Sequence, residues 1–150
     1  MTPVIRIERT IAAPRREVYR AWLDPELVAE WMAPGLEVTR VEIDERVGGY
    51  YRVWHGEAGG FEGEILELVP DQRIACRWGF VGPDRRNGPV FDSLLTVSFE
   101  DAPRGTRLTL VHERLDALAA AMPEVAGKVE TGWEMVLRQL ASSIEGGRDA

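Results

Sequence analysis

Hydrophobic and polar positions alternate with a period of two over most of the chain, and switch to a helical period at two places. The first alternating stretch, Val4-Ile5-Arg6-Ile7-Glu8-Arg9-Thr10-Ile11, predicts a half-buried strand over 4–11. Pro14 follows at a helix start, where its missing N–H costs nothing, and Val18, Tyr19, Trp22 and Leu23 recur at helical spacing. Asp24-Pro25-Glu26 restarts a helix, with Asp24 as cap and Pro25 as first residue; it carries Leu27, Val28 and Trp31 and ends at Ala33-Pro34-Gly35. Period two then returns and predicts six strands, at about 37–45, 48–55, 60–69, 72–80, 90–100 and 105–114. Gly, Pro or Asp punctuates every gap, and connections this short favour antiparallel neighbours. Alternation fails from Leu66 to Val69, which predicts a bulge. After Pro123, apolar residues at Val125, Val129, Trp133, Val136, Leu137, Leu140 and Ile144 recur three and four apart, the mark of one long amphipathic helix. Gly146-Gly147 is expected to end it, with 146–150 as a frayed tail.

The order is therefore one strand, two short helices, six strands and one long helix. An α+β architecture follows: a seven-stranded antiparallel sheet whose apolar face is covered by the C-terminal helix, the only element large enough to cover it. Alternation also assigns the faces. Tyr51, Val53 and His55 point inward and Tyr50, Arg52 and Trp54 outward. Phe61, Gly63 and Ile65 share the inner face with Ile74, Cys76, Trp78 and Phe80. The last two strands add Phe91, Ser93, Leu95, Val97 and Phe99, then Leu108, Leu110 and His112. Trp31, Met122, Val125, Val129 and Trp133 come from the helices, and Gly132 falls beside them, leaving either room for a ligand or close helix–sheet packing. The lining is aromatic and aliphatic with a few polar points, a composition that suits a small-molecule pocket.

Length and charge narrow the class. A chain of 150 residues makes one domain, 1–150, able to bury roughly two-thirds of its surface without disulfides or metal. Its net charge of −7 lacks the electrostatic footprint of a nucleic-acid-binding protein and suits anionic membranes poorly. No apolar run is long enough to span a bilayer, no leader pattern opens the chain, and Cys76 is the sole cysteine. The expectation is a cytoplasmic protein, monomer or homodimer, with no nucleic-acid or membrane partner.

Few residues carry chemistry. His112 is the best candidate for a polar anchor or a general acid/base, since an imidazole near pKa 6.5 suits either role; the competing reading is a structural histidine bonded to Trp133 or to backbone. His55, near a turn, is a weaker candidate. Two distant histidines and one cysteine offer no metal spacing, so neither metal nor cofactor is expected. Cys76 sits mid-strand with no sequence-near base, the setting of an inert thiol. Glu62 and Glu64 alternate onto the solvent face, and Gly48-Gly49 and Gly59-Gly60 lack a phosphate-loop context.

Several motifs in order resemble a known family. They are Ala13-Pro14, Asp24-Pro25-Glu26-Leu27 through Trp31, Val47-Gly48-Gly49-Tyr50-Tyr51, Gly63 through Pro70, Arg77-Trp78, Leu95 through Phe99, Gly105 through Glu113, and Gly132-Trp133-Glu134. Over roughly residues 4 to 145 the chain resembles the START-like, helix-grip superfamily (also called SRPBCC or Bet v-like). Within it, the chain resembles the branch named for the C-terminal domain of the activator of the heat-shock-protein-90 ATPase. That resemblance implies a curved sheet wrapped around the long helix, with a deep cavity between them that holds an apolar or amphipathic molecule. Relatives include carriers, sensors, polyketide cyclases and co-chaperone domains, so fold alone does not name the activity. The leading expectation is a small-molecule binding protein. Its lining would be Trp31, Tyr51, Val53, His55, Phe61, Cys76, Trp78, Phe91, Ser93, Leu95, His112, Met122, Val129 and Trp133, with His112, Tyr51 and Ser93 as anchors. The short helices and the loop 82–89 would control entry. The alternatives are a cyclase or hydrolase using His112 with Tyr51, or a chaperone-binding domain using the outer face around Tyr50, Arg52 and Trp54. A chaperone partner is the lesser expectation, because the sequence shows no counterpart of the activator's separate N-terminal domain.

Overall fold

The computed structural model describes residues 4–32, 38–55, 59–81, 93–116 and 127–148. Strand β1 (Ile5–Ile11) leads into helices α1 (Arg15–Leu23) and α2 (Pro25–Trp31), then into β2 (Val38–Ile43), β3 (Tyr50–His55), β4 (Gly59–Val69), β5 (Arg73–Val81), β6 (Ser93–Ala102), β7 (Gly105–Glu113) and the long helix α3 (Val129–Arg148). The strands form one antiparallel sheet in the order β1-β7-β6-β5-β4-β3-β2. Strands β2 to β7 are thus sequential neighbours, while β1 pairs with β7 at the far edge; α1 and α2 carry the chain from one edge to the other. The result is the helix-grip α+β fold, a curved sheet with α3 and the two short helices against one face.

Local chemistry explains the junction between the short helices. The Asp24 backbone N–H closes α1 on the Arg20 carbonyl at 2.9 Å. Its side chain then accepts from the Glu26 N–H at 3.0 Å and caps α2, with Pro25 at the first helical position. The bulge lies where alternation fails: the β4–β5 register shifts between Ile65 and Glu67. Ile65 stays buried while Leu66 turns to solvent.

Two features of α3 depart from the sequence reading. Gly132 does not face the interior; it is exposed, and a Cβ built there would meet nothing within 4 Å among the described residues. The buried stripe of Val129, Trp133, Val136, Leu137 and Leu140 is narrow, and at about 100° per residue Gly132 falls roughly 90° from its centre. Nor do Gly146 and Gly147 end the helix, whose backbone continues to Arg148. Glu145 accepts the Ala12 N–H of β1's end at 2.9 Å, tying the last turns to the sheet edge against the glycines' poor propensity. The proposed entry loop 82–89, with Phe91, Met122 and Val125, lies outside the described residues.

One glycine is required by close approach. Gly105, in the β6–β7 turn, has φ of +142°, and a Cβ there would lie 2.2 Å from the Ile11 carbonyl oxygen and 2.8 Å from the Ala13 nitrogen. Beside it the buried Thr106 hydroxyl donates to the Ala13 carbonyl at 2.6 Å, fastening the same turn to β1. Two glycine-to-alanine changes should therefore have opposite signs in urea unfolding. Gly105→Ala is expected to lose about 1–3 kcal/mol by forcing backbone apart. Gly132→Ala is expected to gain up to about 1 kcal/mol through helix propensity alone. A destabilising Gly132→Ala would show that this helix face is covered.

Candidate functional site

Side chains from five strands and all three helices meet between the sheet and α3. The polar centre is a chain of hydrogen bonds across four elements. Trp133 on α3 donates its Nε1–H to His112 Nδ1 on β7 at 3.0 Å. His112 Nε2 lies 2.7 Å from Ser93 Oγ on β6, and the Ser93 hydroxyl donates to the Trp78 carbonyl on β5 at 2.5 Å. An indole N–H can only donate, so Nδ1 must be the acceptor and the proton sits on Nε2. That proton goes to Ser93 Oγ, whose own proton goes to Trp78. Every partner of the imidazole is thereby used. Burial pushes its pKa down to about 4, so the ring is neutral at pH 7.

The other polar points are equally engaged or inert. Tyr51 donates its hydroxyl to the Trp22 carbonyl at 2.6 Å, and burial, with Cys76 nearby, raises its pKa well above the ordinary phenol value. Burial pushes the Cys76 thiol up to about 12, which leaves it protonated and unreactive. Among the described residues no three His, Cys, Asp or Glu side chains converge as a metal site would require.

Around this centre the aromatic rings pack against one another in a continuous buried cluster. Trp78 stacks on Phe61 at 5.3 Å between centroids and meets Tyr51 at 5.6 Å and Trp133 at 5.7 Å. Trp133 in turn meets Trp22 at 6.3 Å, and Trp22 meets Trp31 edge-on at 4.6 Å. Such pairs stabilise by about 0.5–1.5 kcal/mol each beyond their buried area. Trp31 donates its indole N–H to the Ala21 carbonyl at 3.1 Å. By contrast, the buried indole nitrogens of Trp22 and Trp78 have no hydrogen-bond partner among the described residues. An unmatched buried donor costs about 1–3 kcal/mol.

The structure thus brings together Trp31, Tyr51, Phe61, Trp78, Ser93, His112 and Trp133, and packs Val53, Cys76, Leu95 and Val129 into the same core. His55 lies on β3 by its backbone pairing with Val38 and Gly59, while its side chain, like Phe91 and Met122, falls outside what is described. Sequence reasoning missed Trp22. Its helical spacing with Val18 and Tyr19 marked it as buried, but nothing local showed that it would touch Trp133.

On the outer face, arginines of the sheet lie over aromatic rings, and Tyr50 stays exposed. Arg52 lies over Tyr50 at 4.2 Å and pairs with Glu62 at 3.2 Å; Arg40 lies over Trp54 at 5.2 Å. A shallow groove of about 490 Å³ beside them is lined by charges of both signs, including Asp44, Arg46, Glu64 and Arg77.

Comparison with known proteins agrees with this arrangement. The family described as Activator of Hsp90 ATPase homolog 1-like protein matches residues 12–145. The chain belongs to this family. A solved protein of Chromobacterium violaceum is 31% identical, with 93% of this chain and 95% of that one covered and a TM-score of 0.71. A Mycobacterium smegmatis protein shares the fold at a TM-score of 0.80 and 23% identity, covering 96% of this chain and 92% of its own. DynU16, a protein of the dynemicin biosynthetic locus, is 25% identical with a TM-score of 0.72, over 96% of this chain and 48% of DynU16. No curated protein sequence is significantly similar. As with other helix-grip domains, membership in the Activator of Hsp90 ATPase homolog 1-like family establishes the scaffold and leaves the chemistry to the interior residues.

The hydrogen-bond chain makes stability depend on pH with a definite sign. The His112 pKa is lowered from 6.5 to about 4 in the folded protein, so the unfolded chain binds more protons across that window. Folding free energy should therefore be highest above pH 6.5 and fall, by up to about 3 kcal/mol, as pH drops toward 4. Urea unfolding at pH 5 and pH 7 checks it, and His112→Gln should flatten the difference. At fixed pH, Ser93→Ala should lose about 1–3 kcal/mol by leaving the His112 N–H and the Trp78 carbonyl unpaired.

Proposed function

We propose that this Activator of Hsp90 ATPase homolog 1-like protein is a cytoplasmic binding protein for a small apolar or amphipathic ring compound, enclosed between the sheet and α3. The observation that supports the reading is the continuous buried aromatic cluster built by both layers, from Trp31 and Trp22 through Trp133 to Trp78, Phe61 and Tyr51. Large rigid rings with few polar points are how proteins hold flat molecules by burial. The geometry weighs against His112 as a general acid or base, because both its nitrogens are committed within the fold and neither faces a substrate with a free lone pair or proton. The chaperone-type reading is weakened in the same way: Tyr50, Arg52 and Trp54 are occupied with partners on their own sheet.

Native mass spectrometry and tryptophan fluorescence with fluorene and 9-fluorenone as probes test the proposal. The expected result is a 1:1 complex that quenches emission, weakened at least tenfold by Phe61→Ala, which trims the half-buried ring stacked on Trp78. Gly132→Phe, on the exposed helix face, should leave binding unchanged. No complex with either probe, and no ligand co-purifying with the protein, would overturn the reading.

A further inference from the structure

We infer that the molecule bound in this interior is an uncharged ring compound bearing a hydrogen-bond acceptor, a ketone, quinone or ether oxygen, which Trp22 and Trp78 read through their indole N–H groups. The inference rests on the binding proposal above and specifies its ligand chemistry.

Four of the five tryptophans meet in the interior, and they divide into two kinds. Trp31 and Trp133 have acceptors supplied by the fold, the Ala21 carbonyl and His112 Nδ1. Among the described residues Trp22 and Trp78 have none, although they are only 2% and 1% exposed. Native interiors leave few such donors, and an unmatched one points to a missing partner. These two are not scattered: both rings rest against Trp133. Their backbones are also pinned, since the Trp22 carbonyl accepts the Tyr51 hydroxyl and the Trp78 carbonyl accepts the Ser93 hydroxyl. The donors are therefore held ready before any ligand arrives, which reduces the ordering cost of binding.

The same surroundings decide the ligand's charge. Among the described residues the buried polar residues are Ser93, Thr106, Thr109 and His112, none of them charged at neutral pH; the buried Arg9 Nε, also without a partner among them, lies on edge strand β1, three strands from Trp78. A carboxylate would be buried with no cation opposite it, and a cation would meet the positive ends of two N–H dipoles. A neutral acceptor satisfies an indole donor without either cost. Discrimination follows from the same logic, because a site built to donate hydrogen bonds rejects the analogue that cannot accept them.

The test compares fluorene, 9-fluorenone and fluorene-9-carboxylate, which share a ring frame and differ in one group. Affinity is read by fluorescence, and the five indole N–H signals by proton–nitrogen NMR of the unaltered protein. The ketone is expected to bind at least tenfold more tightly than the hydrocarbon, and the carboxylate no more tightly than the hydrocarbon. The Trp22 and Trp78 indole protons should move downfield with the ketone and not with fluorene. Trp22→Phe and Trp78→Phe should each reduce the ketone-to-hydrocarbon ratio, a quantity that general loosening of the fold would not change selectively. Equal affinity for fluorene and fluorenone with unmoved indole signals would overturn this inference and leave the binding proposal standing. Preference for the carboxylate would overturn the neutral-ligand assignment. Binding of none of the three would overturn both.

Discussion

A neutral imidazole bonded on both sides holds the helix to the sheet. The His112 ring accepts a hydrogen bond from the Trp133 indole N–H and donates one to Ser93 Oγ, and the Ser93 hydroxyl donates in turn to the Trp78 carbonyl. Each bond has only one workable direction, because the first donor cannot accept and the last acceptor cannot donate. A buried polar chain of this kind is favourable only when every member is satisfied. It therefore selects one rotation of α3, with Trp133 and Val136 inward and Gly132 outward. The aromatic packing, the depressed basicity of His112 and the placing of Trp22 against Trp133 all follow from that orientation.

The same constraint separates polar groups committed within the fold from those without a partner among the described residues. His112, Ser93 and Tyr51 have the chemistry of anchors, yet they spend it on the protein itself. What remains uncommitted among the described residues is Arg9 Nε on the edge strand and, within the aromatic cluster, the indole donors of Trp22 and Trp78. The scaffold is shared at TM-scores of 0.71 and 0.80 with proteins 31% and 23% identical, and fold alone does not name the activity.

Much of the fold was legible because strand alternation is a local property. The period of two placed Tyr51, Val53, Ile65, Ile74, Cys76, Trp78, Leu95 and Leu110 inside, and its failure after Ile65 located the bulge. Asp24 and Pro25 likewise announced the second helix. Gly132 was misread because helical spacing defines a stripe without stating its width, and a residue at its margin is settled only by what packs there. The helix end was misread because glycine propensity is outweighed by the contact from Glu145 to Ala12, residues far apart in the chain.

By itself the sequence determined the order of elements, the faces of the strands, and the family to which the chain belongs. All of these depend on neighbours within a few residues, where side-chain period and turn chemistry dominate. Only the tertiary structure decided that His112 is held neutral, that Trp22 meets Trp133, and that two indoles have no acceptor among the described residues. Those properties depend on hydrogen-bond partners and ring contacts brought together from distant strands and helices. No local pattern encodes whether a buried donor will find an acceptor, because that depends on what the other layer places opposite it.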